Sequence, residues 1–257
     1  MSEASVVVHA DPEVLAHAAA ARLAVRLLDA QAERGSASVV LTGGGIAAKM
    51  YAALREAPVR DAVDWSRVHF WWGDERFVPA TSPDRNEKQA REALLDFIPV
   101  DQALVHAMPA SDGPDGDDPE AAAERYAAEL AAAARPGTAR LPHFDVVLLG
   151  LGEDGHVASV FPEHPVVYET RPVSAVRGSP KPPPVRITLT LPALCTAEEV
   201  WLVAAGAGKA DAVAMALAGG GGPVQVPAAG VRGVERTFWL LDRAAAAHVG
   251  PKFRSLR

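Results

Sequence analysis

Along the chain, short apolar and often β-branched runs alternate with stretches whose apolar residues recur at helical spacing. Residues 5–8 form the first run. Asp11-Pro12 then supplies a helix N-cap and a proline suited to the first turn, and Leu15, Ala19, Leu23 and Leu27 mark one face of a helix reaching about Arg34. Arg22, Arg26 and Glu33 fall on its water-facing side. Residues 38–41 are a second run, ending in Thr42-Gly43-Gly44-Gly45 and followed by helical spacing over 46–55. The same order recurs at 68–72 before Gly73-Asp74-Glu75-Arg76, at 144–149 before a glycine-rich turn reaching His156, and at 200–204 before Gly206-Ala207-Gly208-Lys209. Further helices are predicted over 86–97, 120–134 and 209–217.

Near-continuous apolar strands alternating with helices predict an α/β protein with a mostly parallel sheet covered on both faces by helices. In such a sheet the ligand crevice lies outside the carboxyl ends of the strands. Thr42, Asp74, Arg76, Asp154, His156 and Lys209 all fall just after predicted strands, so residues distant in sequence should converge there. Three segments, 111–119, 171–184 and 219–222, are too rich in Gly, Pro or acidic residues for regular structure. The middle one carries Arg171, Arg177 and Lys181 and is either a mobile basic flap over a site or a plain surface loop. With no fixed-period repeat and no clean break, residues 1–257 are expected to form one domain.

Composition narrows the partners. The net charge of −7 with no basic run argues against a broad nucleic-acid or anionic-membrane footprint, so any anionic ligand must be held by a few placed cations. No apolar stretch is long enough to cross a bilayer, and the start shows no basic segment leading into an apolar one, so a soluble cytoplasmic protein is expected. Cys195, the single cysteine, excludes an intramolecular disulfide framework and a cysteine-rich zinc site. It is read as a small apolar filler.

Candidate chemistry follows from the strand ends. Thr42-Gly43-Gly44-Gly45 before a helix is either a tight turn or a cradle whose N–H groups approach a phosphate. It is neither a P-loop nor a Gly-x-Gly-x-x-Gly fingerprint. Asp74-Glu75-Arg76 is either a structural Arg–carboxylate pair or a guanidinium for a phosphate or carboxylate beside acids able to orient it, and its place at a strand end favours the second. In Asp154-Gly155-His156, the histidine is the only one of eight that follows a buried-looking strand through a glycine-rich turn, as a general base requires. Metal-ligand spacing and a Gly-x-Ser-x-Gly elbow are both absent from the sequence. Arg186 begins an alternating strand, and Lys209, one of only five lysines, sits in a glycine-rich turn suited to a second phosphate contact; either residue alone is equally readable as a surface charge.

Together, Leu41-Thr42-Gly43-Gly44, Trp72-Gly73-Asp74-Glu75-Arg76, Asp84-Arg85-Asn86, the stretch from Gly150 through Asp154-Gly155-His156 to Phe161-Pro162, Pro182-Pro183-Pro184-Val185-Arg186-Ile187-Thr188 and Gly206-Ala207-Gly208-Lys209 resemble the 6-phosphogluconolactonase family. The resemblance spans about residues 40–240. It implies a Rossmann-like sheet of the type shared with glucosamine-6-phosphate deaminases and ribose-5-phosphate isomerases, no cofactor and no metal. It further implies hydrolysis of 6-phosphoglucono-1,5-lactone in the pentose phosphate pathway. Carried onto this chain, His156 is the general base, with Asp154 or Glu153 orienting it and Arg76 a candidate contact to the substrate's phosphate or carbonyl oxygen. Arg186 and Lys209 contact phosphate or carbonyl oxygen, Thr42, Gly43, Gly44 and Gly45 belong to the sugar-phosphate cradle, and Asp74 and Asn86 support the site. The partner is a small phosphorylated lactone, not nucleic acid or membrane, and the chain is expected to be a monomer or small homo-oligomer. Two alternatives are a glucosamine-6-phosphate deaminase or isomerase, whose turn carries a glutamate where this chain has Phe161, and a non-catalytic sugar-phosphate sensor.

Overall fold

The computed structural model describes residues 4–134, 141–219 and 221–250; of the predicted connection 219–222, residue 220 lies outside the described residues. The strands are β1 (Ala4–His9), β2 (Ala37–Leu41), β3 (Val68–Trp72), β4 (Asp74–Arg76), β5 (Val146–Gly150), β6 (Val173–Val176), β7 (Arg186–Leu189), β8 (Glu199–Ala204) and β9 (Arg236–Asp242). The helices are α1 (Pro12–Arg34), α2 (Gly45–Glu56), α3 (Asn86–Ala93), α4 (Pro119–Ala132), α5 (Leu191–Leu194) and α6 (Ala210–Ala218).

Six strands build one sheet in the order β1-β9-β8-β5-β2-β3, and every pairing in it is parallel. All residues of β2 and β8 are buried. Since successive side chains of a strand point to opposite faces, both faces of the sheet are covered, as the unbroken apolar runs predict. Trp71, Trp72 and Trp201 are fully buried in the core cluster.

Capping explains where the helices lie. Asp11 accepts the Val14 N–H at 2.9 Å to open α1, and Gly35, at φ +76°, closes it in the left-handed conformation. α2 opens differently: its N-cap is Gly44, at φ +100°, with no side-chain cap bond. Its first N–H groups therefore face the ligand crevice instead of a capping oxygen.

Five expectations need correction. Asp74-Glu75-Arg76 is no turn but β4, which with β7 and β6 forms a second, antiparallel sheet in the order β4-β7-β6. The segment 171–184 is not loop throughout, because β6 lies inside it as an edge strand whose pairing with β7 supplies what its short sequence does not. β7 is four residues long and buried at every one, so the alternation read after Arg186 is not seen. The helix over 86–97 stops at Ala93, where Leu94 leaves helical geometry at φ −144°, and continues only as a short turn of 3-10 helix. Arg26 also departs from the helix-face reading. It is bonded to Glu198 and reaches Asp145 at the start of the sheet. β9 carries no signal singled out in the sequence.

Gly73 joins the two sheets. Its N–H donates to Leu41 O at 3.0 Å in the parallel sheet, while its carbonyl accepts the Leu189 N–H of β7 at 2.7 Å. The second sheet is thereby fastened to the carboxyl end of the first, where it walls the crevice.

Candidate active site

A cavity of about 500 Å³ opens at the carboxyl ends of the parallel strands. Every glycine of the Thr42–Gly45 turn lines it, together with Asp74, Arg76, Asn86, His156, Arg186 and Lys209. Residues spread over more than 160 positions of sequence meet there, as the strand-end argument predicts. Asp154 is not on the wall but stands behind His156.

The His156 wall begins where β5 ends. Gly152 N–H donates to His156 O at 2.9 Å and Gly155 N–H to Gly152 O at 3.0 Å, closing a tight turn in which Gly155 adopts φ +85°. A side chain on Gly152 would occupy the space of the His156 ring and the Asp154 carboxylate. His156 Nδ1 donates to Asp154 Oδ1 at 2.5 Å, leaving Nε2 as the acceptor. Lys181 Nζ lies 3.8 Å from the same carboxylate oxygen. Burial pushes the Asp154 carboxyl up, but the hydrogen bond and charge of His156, with Lys181 beyond, outweigh it and hold the group well below the usual carboxylate range. Asp154 is therefore a fixed anion at the back of the imidazole. Phe161, fully buried, packs its ring centroid 4.5 Å from that of His156, and the Arg186 guanidinium lies 5.6 Å from the Phe161 centroid.

The opposite wall is a buried polar network. Asp74 Oδ2 accepts the Ser159 hydroxyl at 2.6 Å, and Asn86 Nδ2 donates to Asp74 O at 2.9 Å and to Asp74 Oδ1 at 3.2 Å. The Asn86 carboxamide fills the space a Gly43 side chain would need, which is why that turn position is glycine. Thr42 is fixed by Tyr51, whose hydroxyl donates to Thr42 O at 2.8 Å and accepts the Thr42 N–H at 3.0 Å. Two buried atoms here find no hydrogen-bond partner, Asn86 Oδ1 and Arg76 Nε. Buried polar groups are usually paired, so orphans at a cavity wall mark where a ligand's polar atoms belong.

The cations are spent unequally. Arg186 donates from Nε to Pro183 O at 3.2 Å and from Nη2 to Lys181 O at 3.0 Å and Pro182 O at 3.1 Å, leaving Nη1, 3.9 Å from Asp74, for the cavity. Those bonds tie residues 181–183 down, and of the three cations in the segment 171–184 only Lys181 lines the site. Arg171 is paired with Glu169 and Arg177 with Glu120, both outside it. Arg76 Nη1 donates to Asp84 O at 2.6 Å. Lys209, where the chain enters α6, lines the cavity with no carboxylate among the described residues paired to its ammonium, and a Gly208 side chain would press on Glu153.

Sequence reasoning did not single out Ser159, the caging of Arg186 by the 181–183 carbonyls, or Lys49 of α2, which lines the cavity while bonded to Glu13. Ser159 had a signal, three residues beyond His156 in the same turn. Among the described residues one cluster has metal-ligand character, His143, Asp145 and Glu198, at the amino ends of β5 and β8, where Arg26 and Arg34 already engage its carboxylates. Cys195 is partly buried against the core, and its thiol, pushed up by burial, hydrogen-bonds to the backbone of Gly230 and Arg232.

Residues 10–239 match the sequence profile of the glucosamine-6-phosphate isomerases/6-phosphogluconolactonase family, and the chain belongs to that family. Among characterised relatives, a 6-phosphogluconolactonase of Streptomyces coelicolor is 62% identical over 245 residues, covering 95% of this chain and 94% of the relative. One of Mycobacterium tuberculosis is 51% identical, covering 95% and 97%. The fold matches the solved 6-phosphogluconolactonase of Trypanosoma brucei with a TM-score of 0.82 at 32% identity, over 97% of this chain and all of that one. A monomeric glucosamine-6-phosphate deaminase matches with a TM-score of 0.77 at 20% identity, a likeness of fold.

Proposed function

We propose that this chain hydrolyses 6-phosphoglucono-1,5-lactone to 6-phosphogluconate by water attack under general-base catalysis. The observation that carries the reading is His156, backed by Asp154, on the wall of a cavity that Arg76, Arg186, Lys209 and the start of α2 also line, in a chain 62% identical to a 6-phosphogluconolactonase over nearly its whole length. Neutral His156 takes a proton at Nε2 from water as that oxygen bonds to the lactone carbonyl carbon. Asp154 keeps the ring oriented and stabilises the imidazolium formed. Arg76 and N–H donors of the turn stabilise the oxyanion, a role worth about 3 kcal/mol per donor. Collapse breaks the bond to the ring oxygen, which receives the proton from His156, and the new carboxylic acid ionises. The phosphate, remote from the reacting carbon, sits against the N-terminus of α2 with Lys209 and the free Nη1 of Arg186, and its binding orients the lactone.

Phe161 supports this reading over deamination or isomerisation, since an apolar ring against His156 cannot relay protons. The reaction needs no cofactor or metal from this site. Among the described residues no helix is long and apolar enough to cross a membrane. With an unpaired thiol at Cys195, this suits a cytoplasmic enzyme acting as a monomer or small homo-oligomer, with the whole chain serving as one domain. The test is a coupled assay with freshly generated lactone, corrected for spontaneous opening, beside glucosamine 6-phosphate. Lactone opening with no ammonia release is expected; the reverse would overturn the reading.

A further inference from the structure

Glu75 lies between two cavity residues, Asp74 and Arg76, yet is 0% exposed and does not reach the cavity. Its carboxylate is a crossing point for backbone. Oε1 accepts the Arg76 N–H at 2.8 Å and the Asn86 N–H at 2.7 Å, and Oε2 accepts the Glu87 N–H at 2.9 Å. The last two donors are the opening N–H groups of α3, whose own N-cap, Arg85, offers no side-chain bond. A side chain eleven positions earlier in the sequence therefore caps this helix. We propose that Glu75 is a positioning residue for the reaction, its ionised carboxylate holding Arg76 and Asn86 in register across the crevice by bridging β4 to α3.

The geometry makes the ionised form necessary. Three N–H donors converge on two oxygens, and a protonated carboxyl would turn one oxygen into a donor facing another donor. Loss of the bridge would free both the Arg76 backbone and the start of α3, and with them the Asn86 carboxamide that braces Asp74 and Gly43. The charged and titratable groups around Glu75 are Asp74 and Arg76 on β4, Arg85 and Glu87 at the start of α3, Arg186 on β7 and Tyr126 on α4. Arg85 Nη2, 3.7 Å from Oε2, is the nearest cation. Burial raises the Glu75 carboxyl to about 7, against the pull of Arg85 and the three N–H groups. The bridge is thus made above that pH and undone below it.

The inference rests on the lactonase reading, and the test separates the two. In Glu75→Gln, kcat for the phosphorylated lactone at pH 8 should fall at least about tenfold while KM rises less than about threefold, because Arg76 serves the transition state. Wild-type kcat should fall as pH drops through 7, with a component that Glu75→Gln lacks; other titrating groups, the substrate phosphate near about 6 among them, affect both enzymes alike. Glu75→Asp, keeping the charge, should recover part of the loss. An active wild type whose kcat is matched within twofold by folded Glu75→Gln, or whose fall through pH 7 is the same in that variant, would overturn the role of Glu75 alone. An inert wild type would overturn the lactonase reading and this role with it. Should Glu75→Gln not fold, calorimetry of 6-phosphogluconate binding to His156→Ala at pH 7 in buffers of different ionisation enthalpy decides: release of clearly more than the roughly 0.1 proton the ligand phosphate can supply supports the bridge, and release of no more than that overturns it.

Discussion

Where β5 and β8 begin, Arg26 and Arg34 of α1 meet Asp145 and Glu198, with Arg26 Nε also 3.7 Å from Glu199. Asp145 further accepts the Ser38 N–H at 2.7 Å, and Glu199 accepts the Trp201 indole N–H at 2.8 Å. Where the same strands end, charges are as numerous but differently committed. Lys209 faces the cavity and Arg186 keeps one nitrogen in reserve; buried polar atoms without a partner occur at both ends, Arg76 Nε and Asn86 Oδ1 here and Ser38 Oγ beside Asp145, so the difference lies in the charged groups. Both ends are clusters of Arg and carboxylate, and sequence alone makes them look alike. Polar capacity consumed internally holds helix to sheet; capacity held rigid and unspent is what a ligand can use.

That contrast can be broken at either end. Apart from the general base, the largest expected effect is at the amino end. Asp145→Ala should lower unfolding free energy by about 3 kcal/mol, since removing one partner of a buried ion pair strands the other, while kcat measured below the new Tm stays unchanged. At the carboxyl end Lys209→Ala should leave Tm in place and lower kcat/KM for the phosphorylated lactone by about thirtyfold, with much less effect on an unphosphorylated lactone; about thirtyfold corresponds to one charge-assisted contact. Equal losses on both substrates would move Lys209 away from phosphate.

A smaller effect, about tenfold in kcat, is expected for Asp154→Asn, which keeps the shape behind His156 and removes the charge. The pH dependence carries a sign. The Asp154 carboxyl is held below its ordinary value of 3.8, so its contribution to stability is complete above that pH and is lost as pH falls toward the folded-state value. Denaturant midpoints measured from pH 6 downward should fall less steeply in Asp154→Asn; a steeper fall would reverse the assignment. Glu75 has the opposite sign. Its carboxyl is raised from 4.5 to about 7, so the folded chain becomes less stable as pH rises through that window, by this group alone. The smallest effect belongs to the exposed Arg177–Glu120 pair, where Arg177→Ala should change neither Tm nor kcat measurably.

The parallel sheet was legible because its strands are buried on both faces and read as apolar runs, and the site because the residues after them carry Gly, Asp, His and Lys where a crevice must form. The second sheet was not. β4 and β6 have three and four residues, too few for a period, and both depend on β7, distant in sequence from β4. Arg26 looked solvent-facing because helical spacing cannot show a carboxylate cluster brought up by the sheet. Glu75 was legible as an acid at a strand end, but its work as a cap depends on a loop that returns Asn86 to it. Phe161 shows the reverse: one residue, read in the turn after His156, already separated two chemistries on one fold.

The direct test of the division between the two ends is turnover by His156→Ala, with circular dichroism and Tm to show that the fold is kept. A fall in kcat of at least about 100-fold at unchanged Tm is predicted, the scale of losing a general base. Turnover within a few fold of wild type in a folded His156→Ala protein would contradict the account.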